Sequence, residues 1–169
     1  ASTAMIYAMH QIQVACIVHH ALGSPFFQAY AREMVAQQLL LASATTELGI
    51  GGDVRSSICA VQVAGDRFTL EKQAPVISYG SQADAILVTC RKSEDAARSD
   101  QVQVLVRKSD YTLKQLSGWD TLGFRGTCSN GYALTSAGAV EQILPVEYAV
   151  IHSKSMHPFA HIVWSSLWL

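Results

Sequence analysis

The chain has 169 residues, half of them apolar and 15% charged, with a formal net charge of −1. That is long enough for one domain with its own core and too apolar for a disordered segment. No Lys/Arg cluster offers a face to nucleic acid or to an anionic membrane, and no apolar run approaches the roughly 18–20 residues that span a bilayer.

Residues 3–21 place Met5, Met9, Ile12, Cys16 and Ile17 near a 3.6-residue repeat. This predicts a helix that ends near Gly23, with Pro25 just beyond. Ser24-Pro25 then reads as an N-cap followed by proline at the first helical position, opening a second helix over 25–38. From residue 39 the apolar period falls to two. Strands are expected at 39–45, 56–63, 66–71, 74–78, 85–91, 101–107, 111–116 and 128–135, with Ala64-Gly65-Asp66 as a hairpin signal. Val102, Val104 and Val106 alternate with polar neighbours, as in a half-buried strand. The polar stretch from Ser93 to Asp100 reads as a loop. A final helix is expected from about Val146 to the end. The pattern predicts an α+β chain: an antiparallel β-barrel or sandwich flanked by helices.

Cys16, Cys59, Cys90 and Cys128 are irregularly spaced, with no Cys-x-x-Cys pair. They read as small buried hydrophobes, and no metal site is expected from them. Free thiols without a secretory signal lead us to expect a cytoplasmic protein. His157 and His161 lie four apart on the last helix without a nearby acidic or cysteine ligand, so a surface or interface role is favoured over a metal. Trp164 and Trp168 share the same spacing and are expected to pack on one helix face. Arg125 sits in a turn between Gly123 and Gly126, placed either to contact substrate or a partner subunit's cofactor or, as is slightly favoured, to pair with a carboxylate such as Asp120. The chain opens at Ala1 inside a helical pattern and stops at Leu169 without a polar tail, which leads us to expect a piece of a longer protein.

The densest chemistry lies at Thr45-Thr46-Glu47-Leu48-Gly49-Ile50-Gly51-Gly52-Asp53, directly after the apolar run Leu39-Leu40-Leu41-Ala42. Glycines let a backbone approach a ligand closely, and successive N–H groups form a concavity for phosphate oxygens. Threonine hydroxyls at a strand end can bond a polar ring edge. The spacing excludes a dinucleotide-binding Gly-x-Gly-x-x-Gly, because Val54 stands where the third glycine belongs and a strand pattern follows. A plain glycine-rich turn fits the same residues.

This segment resembles the Thr-Glu-Pro-Gly-x-Gly-Ser-Asp signature of acyl-CoA dehydrogenases. Val76-Ile77-Ser78-Tyr79-Gly80 stands where that family has a Trp-Ile-Thr-Asn-Gly-like run. Leu122-Gly123-Phe124-Arg125-Gly126-Thr127-Cys128-Ser129 is similar to its Leu-Gly-x-Arg-x-Ser/Thr-x-Ser element, and residues 140–145 look like the strand leading into its C-terminal helices. The resemblance covers residues 39–150. It implies that 1–38 end an N-terminal helical domain, 39–150 form a middle β-domain, and 151–169 open a C-terminal helical domain.

The resemblance further implies FAD as cofactor. Ser43, Thr45 and Thr46 would line the isoalloxazine edge, Gly51 and Gly52 would lie near the pyrophosphate, and Val76 and Ser78 would face the ring. Three residues depart from the pattern: Gly52 replaces serine, Val76 replaces tryptophan and Leu48 replaces proline. The implied activity is oxidation of an acyl-CoA thioester to the 2-enoyl-CoA, by a homo-oligomer (a dimer or a tetramer), with an electron acceptor that the residues leave undefined. The family's catalytic base normally comes from the C-terminal helices. Residues 151–169 hold no Asp or Glu, and Glu47 reads as structural, so no base is assigned in this chain. A flavin-dependent monooxygenase or acyl-CoA oxidase on the same fold, and a non-catalytic β-module that binds a partner or acyl thioester, are the alternatives.

Overall fold

The computed structural model describes residues 1–168, with Trp168 described through its helix backbone only. The expectation for the Trp168 side chain therefore lies outside the described residues. Two helices come first, α1 (Ser2–His20) and α2 (Pro25–Gln37). Seven strands follow: β1 (Leu41–Ala44), β2 (Gln62–Ala64), β3 (Arg67–Ala74), β4 (Ala85–Arg91), β5 (Gln101–Arg107), β6 (Tyr111–Ser117) and β7 (Gly131–Ala139). The chain ends in α3 (Tyr148–Ile151), a π-helical turn (His152–Met156) and α4 (His157–Trp168). Ser24 caps α2 by position, in an extended conformation and without a side-chain bond, and Pro25 occupies the first turn.

The strands form two sheets, β1-β4-β5 and β2-β3-β7-β6. They do not close into a barrel. The four-stranded sheet is antiparallel throughout. The three-stranded sheet is mixed, since β1 pairs with β4 in parallel, Leu41 beside Ala85, while β4 and β5 are antiparallel. The expectation of antiparallel strands alone is thus corrected at β1. A parallel neighbour needs a long crossover, and here the β2–β3 hairpin of the other sheet provides it. No helix lies between residues 54 and 110.

The two sheets share one apolar cluster, in which Ala42, Ile86, Val88, Val104 and Val106 meet Phe68, Leu70, Tyr132 and Leu134. The other face of the three-stranded sheet (Leu41, Leu87, Leu105) packs on Ile17, Phe27, Tyr30, Tyr148 and Ile151 of the helices. The small sheet is therefore buried on both sides, as the burial of six successive residues in each of β4 and β5 shows. β5 is not the half-buried strand that its valine alternation predicts. Gln101 and Gln103 are buried with it, because helices at Leu105 and the 54–57 loop at Gln101, whose Nε2 donates to Ser57 Oγ at 2.7 Å, cover the face that the alternation assigns to water. Arg107 fastens α2 to β5, pairing with Glu33 at 3.0 Å and lying over the Tyr30 ring at 5.2 Å.

Two further expectations are corrected. Residues 56–63 do not form one strand. They leave a loop, touch the end of β4 through an Ala60–Arg91 bridge, and enter β2 only at Gln62. Residues 74–78 turn away from the sheet after Ala74, because Ile77 N–H donates to Asn130 O (2.9 Å) and Tyr79 N–H to Thr127 O (2.7 Å). The Gly65 hairpin forms as read, with a φ of 62° at Gly65.

Candidate functional site

The end of β1 carries Ser43, and Thr45 and Thr46 follow as the chain leaves the sheet. The Ser43 and Thr45 hydroxyls lie 3.0 Å apart, and the Thr46 hydroxyl donates to Val76 O at 3.3 Å. That last bond ties the first motif to the second. The Ser78 hydroxyl lies 2.8 Å from that of Ser129, which lies 2.7 Å from that of Thr127. Thr127 Oγ1 in turn donates to Phe124 O at 2.8 Å. Phe124 and Cys128 both adopt positive φ around a short 3₁₀ turn, and this sharp fold aims Thr127 and Ser129 at Ser78. Three motifs that are far apart in sequence thus meet at one place.

A buried carboxylate organises the loop between them. Glu47 accepts the N–H groups of Ile58 (3.0 Å) and Cys59, and lies 3.4 Å from Lys72 Nζ. Lys72 also donates to Thr89 O at 2.6 Å and Thr45 O at 3.3 Å. Its side chain is wholly enclosed. The structural reading of Glu47 therefore stands, whereas nothing in the sequence marks Lys72. Cys59 and Cys90 are buried side by side here. Their mutual hydrogen bond holds the Cys59 thiol below the ordinary thiol range and pushes Cys90 up.

Beside these hydroxyls opens a cleft of about 340 Å³. One wall is the β-domain: Ser43, Thr45, Thr46, Val54, Val76 and Ser78. The facing wall is helical, with Met9, Ile12 and Gln13 of α1 and Tyr148, Met156 and Trp164 from the C-terminal helices. His152, His157 and His161 also border it, their rings in series at 5.3 and 4.3 Å between centroids. Burial, then His157 and Arg55, lowers the pKa of His152 and favours its neutral form. Gly51 and Gly52 do not border the cleft. They sit exposed in the neighbouring loop at φ of 63° and 87°, values that a side chain strains to adopt.

Gln13, like Tyr148 and Met156, is a cleft residue that the sequence does not reveal. It sits within an apolar helical stretch and is only 5% exposed, yet its Oε1 has no hydrogen-bond partner. Arg125 differs from expectation in its partner: its Nε donates to Thr121 O at 2.7 Å and so closes its own turn. No group of three or more His, Cys, Asp or Glu among the described residues is arranged to hold a metal. No described helix is long and apolar enough to cross a membrane.

No family model matches the chain, and neither does any curated protein. Solved structures do match. FMN-bound TdsC from Paenibacillus sp. A11-2, a dibenzothiophene monooxygenase, superposes with a TM-score of 0.82 at 17% identity, over 99% of this chain and 44% of that one. An acyl-CoA dehydrogenase from Geobacillus kaustophilus gives 0.66 at 20% identity, over 82% of this chain and 38% of its own. The prolyl acyl carrier protein oxidase AnaB gives 0.75 at 14% identity, over 94% and 42%. This chain therefore has the fold of acyl-CoA dehydrogenase-type flavoproteins and spans less than half the length of these structures.

Proposed function

We propose that the chain supplies the flavin-facing part of an oxidoreductase that binds FAD. The observation that carries this reading is the convergence of Ser43, Thr45, Thr46, Val76 and Ser78 on one cleft. Its volume of about 340 Å³ falls within the range of roughly 300–1,000 Å³ typical of cofactor and ligand sites. The donor set also suits a flavin: an apolar floor at Val54 and Val76 takes a flat ring, and hydroxyls at the rim meet its polar edge. Gly51 and Gly52, outside the cleft, leave room for a phosphate to approach the loop. A bound flavin supplies a two-electron acceptor, which no amino-acid side chain here provides.

This chain's own part is to bind and orient. Thr46 already gives its proton to Val76 O, so its remaining lone pairs accept from a ring N–H. Ser78 sits at the end of a hydroxyl chain anchored on Phe124 O, which fixes its direction. The helical wall shields the ring's far face from water. The leading reaction is oxidation of an acyl-CoA thioester to its 2-enoyl product, with the base supplied from outside this chain. Monooxygenation is the second reading, favoured by the three imidazoles at the cleft, a side chain that both donates and accepts protons.

Titrating FAD and FMN into the protein tests the reading. Saturable binding of FAD is expected, and Val76→Arg should cut the affinity at least about tenfold by filling the floor with a charge. Lys114→Ala, on the exposed part of β6, should leave it unchanged. If neither flavin binds, or if Val76→Arg binds like the parent, the cleft is not a flavin site.

A further inference from the structure

The helical wall of the cleft is amphipathic. Met9, Ile12, Met156 and Ala160 give it an apolar surface, while His157 and His161 stand exposed at its border beside the half-buried His152. The three rings touch one another and Tyr148, and no hydrogen bond reaches any of their nitrogens from the described residues. No carboxylate answers them either. The cleft lining contains no Asp or Glu, and none occurs from residue 148 to the end of the chain. Glu47 is committed to Lys72. Asp53 faces Arg55 at 3.9 Å with both side chains largely exposed, a pair of little worth. The charge that does act on the imidazoles is positive: after burial, His157 and Arg55 lower the pKa of His152. An apolar surface thus ends in a row of unused N–H donors under a positive field.

We propose that these imidazoles receive the carboxylate of a small organic acid whose apolar body lies in the cleft, and that this acid is the second ligand beside the cofactor. The inference rests on the flavin reading above, which gives the β-domain wall to the cofactor and leaves the helical wall to its reaction partner. A single negative charge suits the donors. An imidazole offers an N–H even when neutral and two when protonated, so adjacent rings can meet both oxygens of a carboxylate. A dianionic phosphate calls for permanent cations, and Arg55, turned to solvent, is of that kind only at the edge of the site. A cationic head would meet His157 and Arg55 as like charges. A neutral head would gain hydrogen bonds, but a charge-assisted bond is roughly twice as strong. The acid is therefore held head outward at the imidazoles, with its body against Met156 and the Trp164 indole.

A pair of flat ligands that differ in charge isolates the effect. 2-Naphthoate and 2-naphthamide have nearly the same shape, and only the first is an anion. Binding of each to the FAD-loaded protein is measured by calorimetry at neutral pH and low salt. The proteins are the parent, the double variant His157→Leu with His161→Leu, and His161→Arg. FAD affinity of each is measured separately by titration. The parent should prefer the acid about tenfold or more, the double leucine variant should lose that preference, and His161→Arg, which keeps a cationic donor, should retain it. FAD affinity should stay within about threefold in all three. Equal binding of acid and amide by the parent, binding of neither, or an unchanged preference in the double leucine variant overturns the inference. So does a loss of FAD affinity in that variant as large as its loss of the acid, which would give the imidazoles to the cofactor. Failure of the parent to take up FAD would bring down the flavin reading, and this inference with it.

Discussion

Lys72 shows how much a single residue can hide from its sequence. The pair Glu71-Lys72 interrupts an apolar alternation, so the pattern ends its strand at residue 71. In the structure β3 runs unbroken from Arg67 to Ala74, and Lys72 points inward with its charge met by Glu47 and two carbonyls. Such a pair is costly to desolvate but far costlier to break, because the surviving charge stays buried. Lys72→Met should therefore lower the unfolding free energy by about 3–5 kcal/mol. Adding Glu47→Gln should recover part of that loss, since no uncompensated charge remains. Urea denaturation of the parent, the single and the double variants measures both effects. A loss below about 1 kcal/mol in Lys72→Met would mean that water reaches the pair. Glu47 itself was legible, because an acid in a glycine loop has few uses besides gathering N–H groups. Gln13 was not, because one amide in a helix reads as a surface residue until the facing wall is known.

Elements that depend on neighbouring residues were readable, and those that depend on distant ones were not. Ser24-Pro25 and Gly65 specify their own backbone, so α2 and the hairpin stand where expected. The parallel pairing of β1 with β4 depends on forty intervening residues and leaves no local mark. The π-helical turn is an intermediate case. Pro158 has no N–H to give Lys154 O, and its ring would crowd that carbonyl in an α-helix. The turn widens instead, and His157 N–H bonds to His152 O. Two tertiary contacts seat it: the Ser155 and His20 side chains at 2.9 Å, and Tyr148 OH with Met156 Sδ at 3.3 Å. Together these contribute roughly 1–3 kcal/mol, against about 1 kcal/mol for the single helical bond that Pro158→Ala would restore. Pro158→Ala alone should thus keep the wide turn and the cleft, with FAD affinity within about twofold of the parent. Combining it with Ser155→Ala should let the turn tighten, rotate α4, and weaken FAD binding several-fold in the same titration. A large loss in Pro158→Ala alone would mean that proline, and not the tertiary contacts, sets the helix register.

On the scale of the molecule, the layers are four strands, three strands, then helices. α1, α2 and α3 bury their apolar sides against the small sheet, but α4 leaves much of its own uncovered. Phe159, Ile162, Trp164 and Leu167 are 36%, 66%, 40% and 39% exposed. Tyr7 on α1 adds another exposed ring. Scattered apolar residues are ordinary on a surface, but four exposed on one twelve-residue helix concentrate apolar area of the kind that pairs. The net charge of only −1 does little to keep copies apart. This chain should therefore self-associate as its concentration rises, with a mass by light scattering that climbs above that of one chain. Ile162→Lys with Leu167→Lys should hold it at the single-chain mass, since two like charges would have to be buried wherever the patch met itself. Both positions lie outside the cleft lining, so FAD titration of the same variant checks that the fold survives. If the parent stays a single chain at every concentration, the exposed face of α4 does not bind a second copy. If the lysine variant associates equally, the contact lies on another face, and the edge strand β6 is the next surface to substitute.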